Sequence, residues 1–249
     1  MEESTLLLGI DTCGPTGSVA LGRFSGQSVE ILGQIELEGR SFSSTLVAAV
    51  GELLAQGGVS LRAVGAMVAV NGPGSFTGVR VGLAAVKGLA ESARTPVVAV
   101  SRLEVLAAKA GVASAALDAH RHEVFLRLGA AREKASRGSD VPRRQGDGLA
   151  RELLAGAEEL AAIEPTPLRV ALCDEAAAQL LSVAWPAAEL IRTSAPLAAD
   201  ALRLCAPRVA AGEFVDLALV DGHYLRRSDA EIFGAKILGS PATALPGEP

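Results

Sequence analysis

An apolar run from Gly65 to Val70 ends at Asn71, turns through Gly72-Pro73-Gly74, and enters a stretch, Ser75 to Ala93, whose only charges are Arg80, Lys87 and Glu91. The run reads as a strand and the stretch as a long helix. The three charges, spaced seven and four apart, share one narrow strip of that helix. A helix apolar around most of its circumference is either central in its own core or covered by a partner. Gly78, Gly82 and Ala85 would present a smooth ridge to a second helix. Ser43 to Gln56 reads the same way: Leu46, Val47, Val50, Leu53 and Leu54 share a face, Glu52 is the sole charge, and Gly57-Gly58 is a fitting stop. Two neighbouring helices without a polar outer face point to an interface or to burial on both sides within one lobe. The candidate contact residues are Leu46, Val50, Leu53, Gly78, Val81, Gly82, Ala85 and Leu89.

Around these helices the pattern alternates. Thr5 to Asp11, Gly17 to Phe24 and Val29 to Leu37 read as strands joined by tight turns, and Pro96 to Val100 as another. Ser101-Arg102-Leu103-Glu104 matches a capping box, opening a helix that ends near Gly111. The pattern then partly restarts. Val112 to Asp118 and Glu123 to Gly129 read as strands, Arg132 to Gly148 as a solvated loop, and Leu149 to Ile163 as a helix. Leu168 to Cys173 reads as a strand, with helices over Glu175 to Val183 and Leu197 to Ala211. Strand clusters followed by alternating helix and strand imply an α/β architecture with a mixed sheet, with a lobe boundary near residue 101.

Composition excludes several classes. The 249 residues are 49% hydrophobic and 20% charged, which excludes disorder as the main state and suffices for a sizeable core. The densest apolar stretches fall well short of the ~20 residues that a bilayer span needs. No charged-then-apolar leader precedes the first strand, so a cytoplasmic chain is expected. Cys13, Cys173 and Cys205 are odd in number and unpaired in spacing, and read as reduced, mostly buried thiols. With 23 basic against 28 acidic residues, a net charge of −5, the surface is not by itself that of a nucleic-acid binder.

Two segments could carry chemistry. Ile10-Asp11-Thr12-Cys13-Gly14-Pro15-Thr16-Gly17-Ser18 joins a strand end to a hairpin whose N–H groups and hydroxyls could face a metal-bound phosphate; an ordinary hairpin capped by Asp11 is the reading its composition favours. The turn before the long helix could offer backbone N–H groups to an anion or serve only tight packing. Its glycines, Gly72, Gly74 and Gly78, are one residue too widely spaced for the dinucleotide fingerprint, and no Gly-Lys-Ser/Thr follows. Ser75 lacks the flanking glycines of a nucleophile elbow, with Pro73 and Thr77 in their place. His120 and His122 would share one side of a strand edge, without a third ligand nearby, so no metal site is expected.

Asn71 to Lys87, NGPGSFTGVRVGLAAVK, extended by Gly88-Leu89-Ala90, resembles the signature of the TsaB (YeaZ) family, G-x-G-P-G-S-F-T-G-x-R-x-G-x-x-x-A-K-G-L-A. Further blocks agree in order: Ile10-Asp11-Thr12 with Ser18-Val19-Ala20-Leu21, Val100-Ser101-x-Leu103-Glu104, Leu117-Asp118-Ala119 with Glu123-Val124-Phe125, and Tyr224-Leu225-Arg226. The resemblance covers residues 5–228.

The resemblance implies an actin-like ATPase (ribonuclease H-like) fold of two related lobes with mixed sheets flanked by helices. Residues 1–101 would form an N-terminal lobe carrying the interface helices, 102–228 a smaller second lobe, and 229–249 a partly flexible tail. The implied role is a non-catalytic dimerisation or scaffold subunit of the complex that makes threonylcarbamoyladenosine in tRNA. A TsaD-like subunit would supply catalysis and a TsaE-like subunit ATP hydrolysis. The first two helices would pair with TsaD, or with a second copy, as a four-helix bundle. tRNA would be met through the complex, in the cytoplasm and away from membranes. No catalytic residue, metal or tightly bound cofactor is expected, with ATP or ADP only at the level of the assembled complex. Asp11, Thr12, Ser18, Gly74, Ser75, Thr77 and Arg80 would form at most a degenerate phosphate or nucleotide contact.

The residues themselves agree with the non-catalytic part. The second-lobe places that should carry nucleotide-binding glycines read Leu117-Asp118-Ala119-His120-Arg121 and Ala171-Leu172-Cys173-Asp174-Glu175. The catalytic relative's His-x-x-x-His is also missing. The chain departs from the family at Phe42-Ser43, where His-Ser is usual, and at Ala48, where a Pro falls. The alternatives are a small-molecule kinase or ATPase of the same superfamily, which would need those glycines, and a glycopeptidase, for which no nucleophile–base pair is seen.

Overall fold

Strands buried on both faces must lie inside a sheet, and two runs here are of that kind. Leu7–Asp11 and Ala66–Val70 are buried at every position. In the computed structural model, which describes residues 4–26, 28–39, 41–129 and 150–226, these runs are the central strands of the first sheet. β1 (Thr5–Asp11), β2 (Thr16–Ser25) and β3 (Ser28–Glu38) form an antiparallel meander. α1 (Phe42–Gln56) then leads to β4 (Val64–Val70), and α2 (Phe76–Ala93) to β5 (Val97–Val100). Both later strands run parallel to β1, giving the order β3-β2-β1-β4-β5.

The second half repeats these moves. After α3 (Arg102–Lys109) come β6 (Ser114–Asp118), β7 (Val124–Leu128) and β8 (Arg151–Ala155) as a meander. α4 (Ala157–Ala161), β9 (Arg169–Leu172), α5 (Glu175–Ala184), β10 (Glu189–Arg192) and α6 (Ala198–Ala210) follow. β9 and β10 run parallel to β6, and the order β10-β9-β6-β7-β8 is that of the first sheet strand for strand. The loose echo in the sequence is thus a topological repeat, and the architecture is the actin-like ATPase (ribonuclease H-like) fold.

The helix after the fifth strand of each sheet crosses to the other sheet. α3 buries Leu103, Leu106 and Ala107 against Ala115, Leu117, Phe125 and Ala171 of the second sheet. α6 buries Ala198, Ala201, Leu202 and Cys205 in the first core. Gly9 of β1 makes room for it, since a Cβ there would stand 3.0 Å from both Leu202 Cγ and Ala198 O. Lys109 Nζ donates to Asp200 Oδ2 at 2.8 Å, joining the two crossing helices. The boundary expected near residue 101 falls between β5 and α3. Ala198 to Val220, in the stretch assigned by sequence to the second lobe, packs on the first core. A further core under the second sheet holds Val124, Leu126, Leu160, Leu172, Leu181 and Trp185.

Two elements differ from the sequence reading. The helix expected over Leu149 to Ile163 is instead β8 followed by the short α4. Leu153-Leu154-Ala155 favours helix by propensity, but five register pairs with β7, from Leu128↔Arg151 to Val124↔Ala155, override it. β10, half-buried and four residues long, is too short to show a period. The loop expected over Arg132 to Gly148 and the tail over 229–249 lie outside the described residues. Among the described residues, no helix is long and apolar enough to cross a membrane.

Leu202 has no exposure and belongs to the first core. Leu202→Ala is expected to destabilise the protein by about 2–5 kcal/mol, as large-to-small core substitutions do. Urea unfolding followed by circular dichroism measures it.

Candidate functional site

α2 is aimed by its own start. Ser75 Oγ accepts from Gly78 N at 3.2 Å, capping the helix. Thr12, just past β1, donates its hydroxyl to Gly78 O at 2.7 Å. A Cβ on Gly78 would overlap Thr12 O, and one on Gly82 would overlap Thr12 Oγ1. These glycines bring α2 against its own sheet rather than against a partner helix.

That placement corrects the sequence assignment. Leu46, Val50, Leu53, Gly78 and Gly82 are buried within this chain, so they cannot form a contact surface. Val81, Ala85 and Leu89 are partly buried and pack on the same core. The face turned outward is the neighbouring stripe: Val47, Ala48, Gly51, Glu52 and Ala55 on α1, with Thr77, Arg80, Ala84, Gly88 and Glu91 on α2. Val47 is 59% exposed, and a Cβ on Gly51 or Gly88 would meet nothing within 4 Å. The helical period that marked a bulky stripe as an interface was marking the core; the small-residue stripe beside it is what remains outside.

Between the lobes lies a cleft of about 1230 Å³, bounded by the turn after β1, the start of α2, Arg102, the turn after β6, and residues 223–226. Of the predicted phosphate contacts, three face away from it. Asp11 is 1% exposed, accepts from Cys13 N at 2.8 Å, and stands 3.5 Å from Arg102 Nε. Thr12 is spent on Gly78 O. Ser18 Oγ accepts from Ala198 N at 2.8 Å, at the start of α6. Gly74, Ser75 and Thr77 do line the cleft. Arg80 instead lies over the Phe76 ring at 3.8 Å, with the Tyr224 ring beside Phe76 and 6.0 Å from the guanidinium. Phe42 is buried at the start of α1, where a Cβ on Gly17 would overlap its ring.

The second-lobe acids are occupied as caps. Asp118 accepts from His120 N at 2.8 Å, while Asp174 accepts from Asp118 N at 3.0 Å and from Ala177 N at 2.8 Å. His120 and His122 do not share a strand edge as expected: with Arg121 they form the turn between β6 and β7, all at φ near 60°. Among the described residues, no group of three His, Cys, Asp or Glu side chains could hold a metal. All three cysteines are free, with Cys13 and Cys205 buried and Cys173 partly so. Burial pushes the Cys13 thiol well above its ordinary range, and nearby Asp11 pushes it further the same way.

The sequence reading missed a polar cluster beside a smaller cavity of about 350 Å³. Glu152, on β8, accepts from Ser101 Oγ at 2.6 Å and Arg127 Nη1 at 2.8 Å, and its Oε2 lies 2.9 Å from His223 Nε2. Burial by itself would raise its pKa, but His223, Ser101 and Arg127 outweigh that and hold the carboxyl below its ordinary range. Ser101 and His223 meet the same carboxylate oxygen, so they are not a nucleophile–base pair. Residues 221–226 tie the lobes together. His223 N donates to Asn71 O at 2.7 Å, and Arg226 pairs with Glu123. Partners 25 to 71 positions away from Glu152 leave no local signal.

Residues 31–169 match the family model of TsaD, tRNA N6-adenosine threonylcarbamoyltransferase. The chain is 36% identical over 129 residues to the tRNA threonylcarbamoyladenosine biosynthesis protein TsaB of Haemophilus influenzae, covering 49% of this chain and 53% of that protein. It is 35% identical over 125 residues to the TsaB of Escherichia coli, covering 48% and 52%. The chain therefore spans about half the length of the curated relatives it matches. YeaZ from Pseudomonas aeruginosa superposes with a TM-score of 0.65 at 27% identity, over 89% of this chain and 100% of that one. A Pseudomonas aeruginosa protein with similarity to peptidase YeaZ does so with the same score and coverage at 28% identity.

The Glu152 cluster sets a pH dependence. A carboxyl whose pKa is lowered by folding adds stability above its unfolded pKa of about 4.3, and that stability is lost as pH falls through the lower folded value. Glu152→Gln is therefore expected to lose less stability than the parent on acidification below about pH 4.3. Denaturant unfolding at a series of pH values checks it; parallel curves would show that Glu152 contributes nothing there.

Proposed function

The chain belongs to the TsaD family and, within it, to the TsaB (YeaZ) group, and from that premise we propose that it is a non-catalytic dimerisation or scaffold subunit for making threonylcarbamoyladenosine in tRNA. The observation that carries this reading is the outer face of α1 and α2. Val47, Ala48, Gly51, Ala55, Ala84 and Gly88 leave a small-residue surface exposed, with Glu52, Arg80 and Glu91 the exposed charges of the same helices. Small residues on two adjacent helices suit close helix-to-helix packing, where side-chain bulk would hold backbones apart. The occupant of that face is a TsaD-like catalytic subunit, or a second copy of this chain when the partner is absent. A TsaE-like ATPase joins the assembled complex, which works in the cytoplasm.

Three features support the non-catalytic part. Asp11, Thr12 and Ser18 are engaged within the chain. Asp118 and Asp174 cap their own turn and helix. Ser101 and His223 share a carboxylate instead of pairing with each other. ATP or ADP binds only in the assembled complex, and tRNA is gripped chiefly by the partner, as the −5 net charge favours.

Gly88→Arg and Ala84→Glu place bulk or charge on the open face without touching the core. Each is expected to cut capture of a TsaD-like partner at least about tenfold, a loss of roughly 1.4 kcal/mol. Unfolding midpoints should change little, since surface substitutions stay within about 0.5 kcal/mol. Pull-down with the partner and light scattering of the free chain read the two assemblies. Undiminished capture by both folded variants would remove the interface reading.

A further inference from the structure

We infer that residues 221–226 are a clasp, a short run of chain that grips both walls of the inter-lobe cleft and fixes the angle between the lobes. This device goes beyond the scaffold role and does not depend on it. The run is rooted in the first lobe. Val215 bridges to Val97 in β5, at the edge of the first sheet, and Val220 is buried in the first core. Asn71, just past β4, then holds the run twice. Its backbone oxygen accepts from His223 N at 2.7 Å, and its Nδ2 donates to Asp221 O at 3.3 Å. Gly72 permits so close an approach, with φ at +112° and a Cβ position only 3.0 Å from His223 O. Tyr224 meets the start of α2: its ring lies 5.2 Å from that of Phe76, and its hydroxyl accepts from Arg80 Nε at 3.4 Å.

The same six residues also hold the second lobe. His223 Nε2 lies 2.9 Å from Glu152 Oε2 on β8. Leu225 packs on the core that contains Leu117 and Phe125. Arg226 pairs with Glu123 and donates to His120 O at 3.5 Å, both at the turn after β6. Tyr224 thus faces one lobe while the side chains of His223, Leu225 and Arg226 face the other. The lobes are joined elsewhere by two crossings, at Ser101 between β5 and α3 and over residues 193–197 between β10 and α6. Asp11–Arg102 and Lys109–Asp200 brace those crossings, and two lobes on such crossings are built to hinge. The clasp differs in tying the walls themselves, the start of α2 to the turn after β6, along one side of the cleft. Its side-chain ion pairs are partly buried, so salt screens them less than surface pairs.

The test uses the full chain carrying Cys173→Ser, with nitroxide labels at Arg62→Cys in the first lobe and Val183→Cys in the second, both exposed positions. Cys13 and Cys205 are buried and stay unlabelled. Pulsed electron paramagnetic resonance reads the distance between the labels, and the parent is expected to give one narrow distribution. His223→Ala with Arg226→Ala frees the second-lobe end, and Tyr224→Ala frees the end at α2. Each should raise the population at a second, displaced distance at least about tenfold, with circular dichroism confirming the fold. A parent-like distribution in either folded variant would overturn the clasp, as would a broad distribution in the parent itself.

Discussion

Asp11 and Arg102 meet at the point where the two lobes join, and much of the molecule is arranged around that meeting. A carboxylate buried at the end of β1 must face a positive group, and the group comes from the first turn of α3. Because α3 packs on the second sheet, the ion pair links the central strand of one lobe to a helix seated on the other. The crossing of α6 onto the first sheet makes the reciprocal link. The inter-lobe cleft opens beside this closure, with Arg102 in its wall.

The same closure engages, within the chain, residues that an ATPase-like framework could turn to a ligand. The hydroxyls of Thr12 and Ser18 sit where a strand-end hairpin could meet an anion. One fixes α2 to the sheet and the other holds the start of α6. Side chains that could turn to a ligand have become internal struts. In exchange α2 lies flat on its glycines, and with α1 presents small residues outward. Low aromatic content, 3% of the chain, does not argue against a binding role, because close helix packing relies on small residues.

Much of the fold was legible because each strand and helix of the first half carries its own period and punctuation. Ser75 before α2 and Gly57-Gly58 after α1 mark their helix ends by local chemistry alone. Arg151 to Ala155 was misread because its strand character comes from pairing with β7, and β10 because four residues are too few for a pattern. In the site, the apolar stripe through Leu46, Val50 and Leu53 was visible but assigned to the wrong neighbour. A hydrophobic face looks alike whether it meets its own sheet or another chain.

The sequence by itself determined the alternation of strands and helices, the charge-poor pair of helices, and the family signature from Asn71 to Ala90. These depend on neighbours within a few residues, where spacing dictates which side chains share a face. Only the tertiary structure decided which stripe of α1 and α2 is left outside, that Arg102 faces Asp11, and that Ser101, Arg127, Glu152 and His223 converge. Such pairings join positions as far apart as 91 residues, where no local spacing connects the partners and three-dimensional packing alone selects which charges meet.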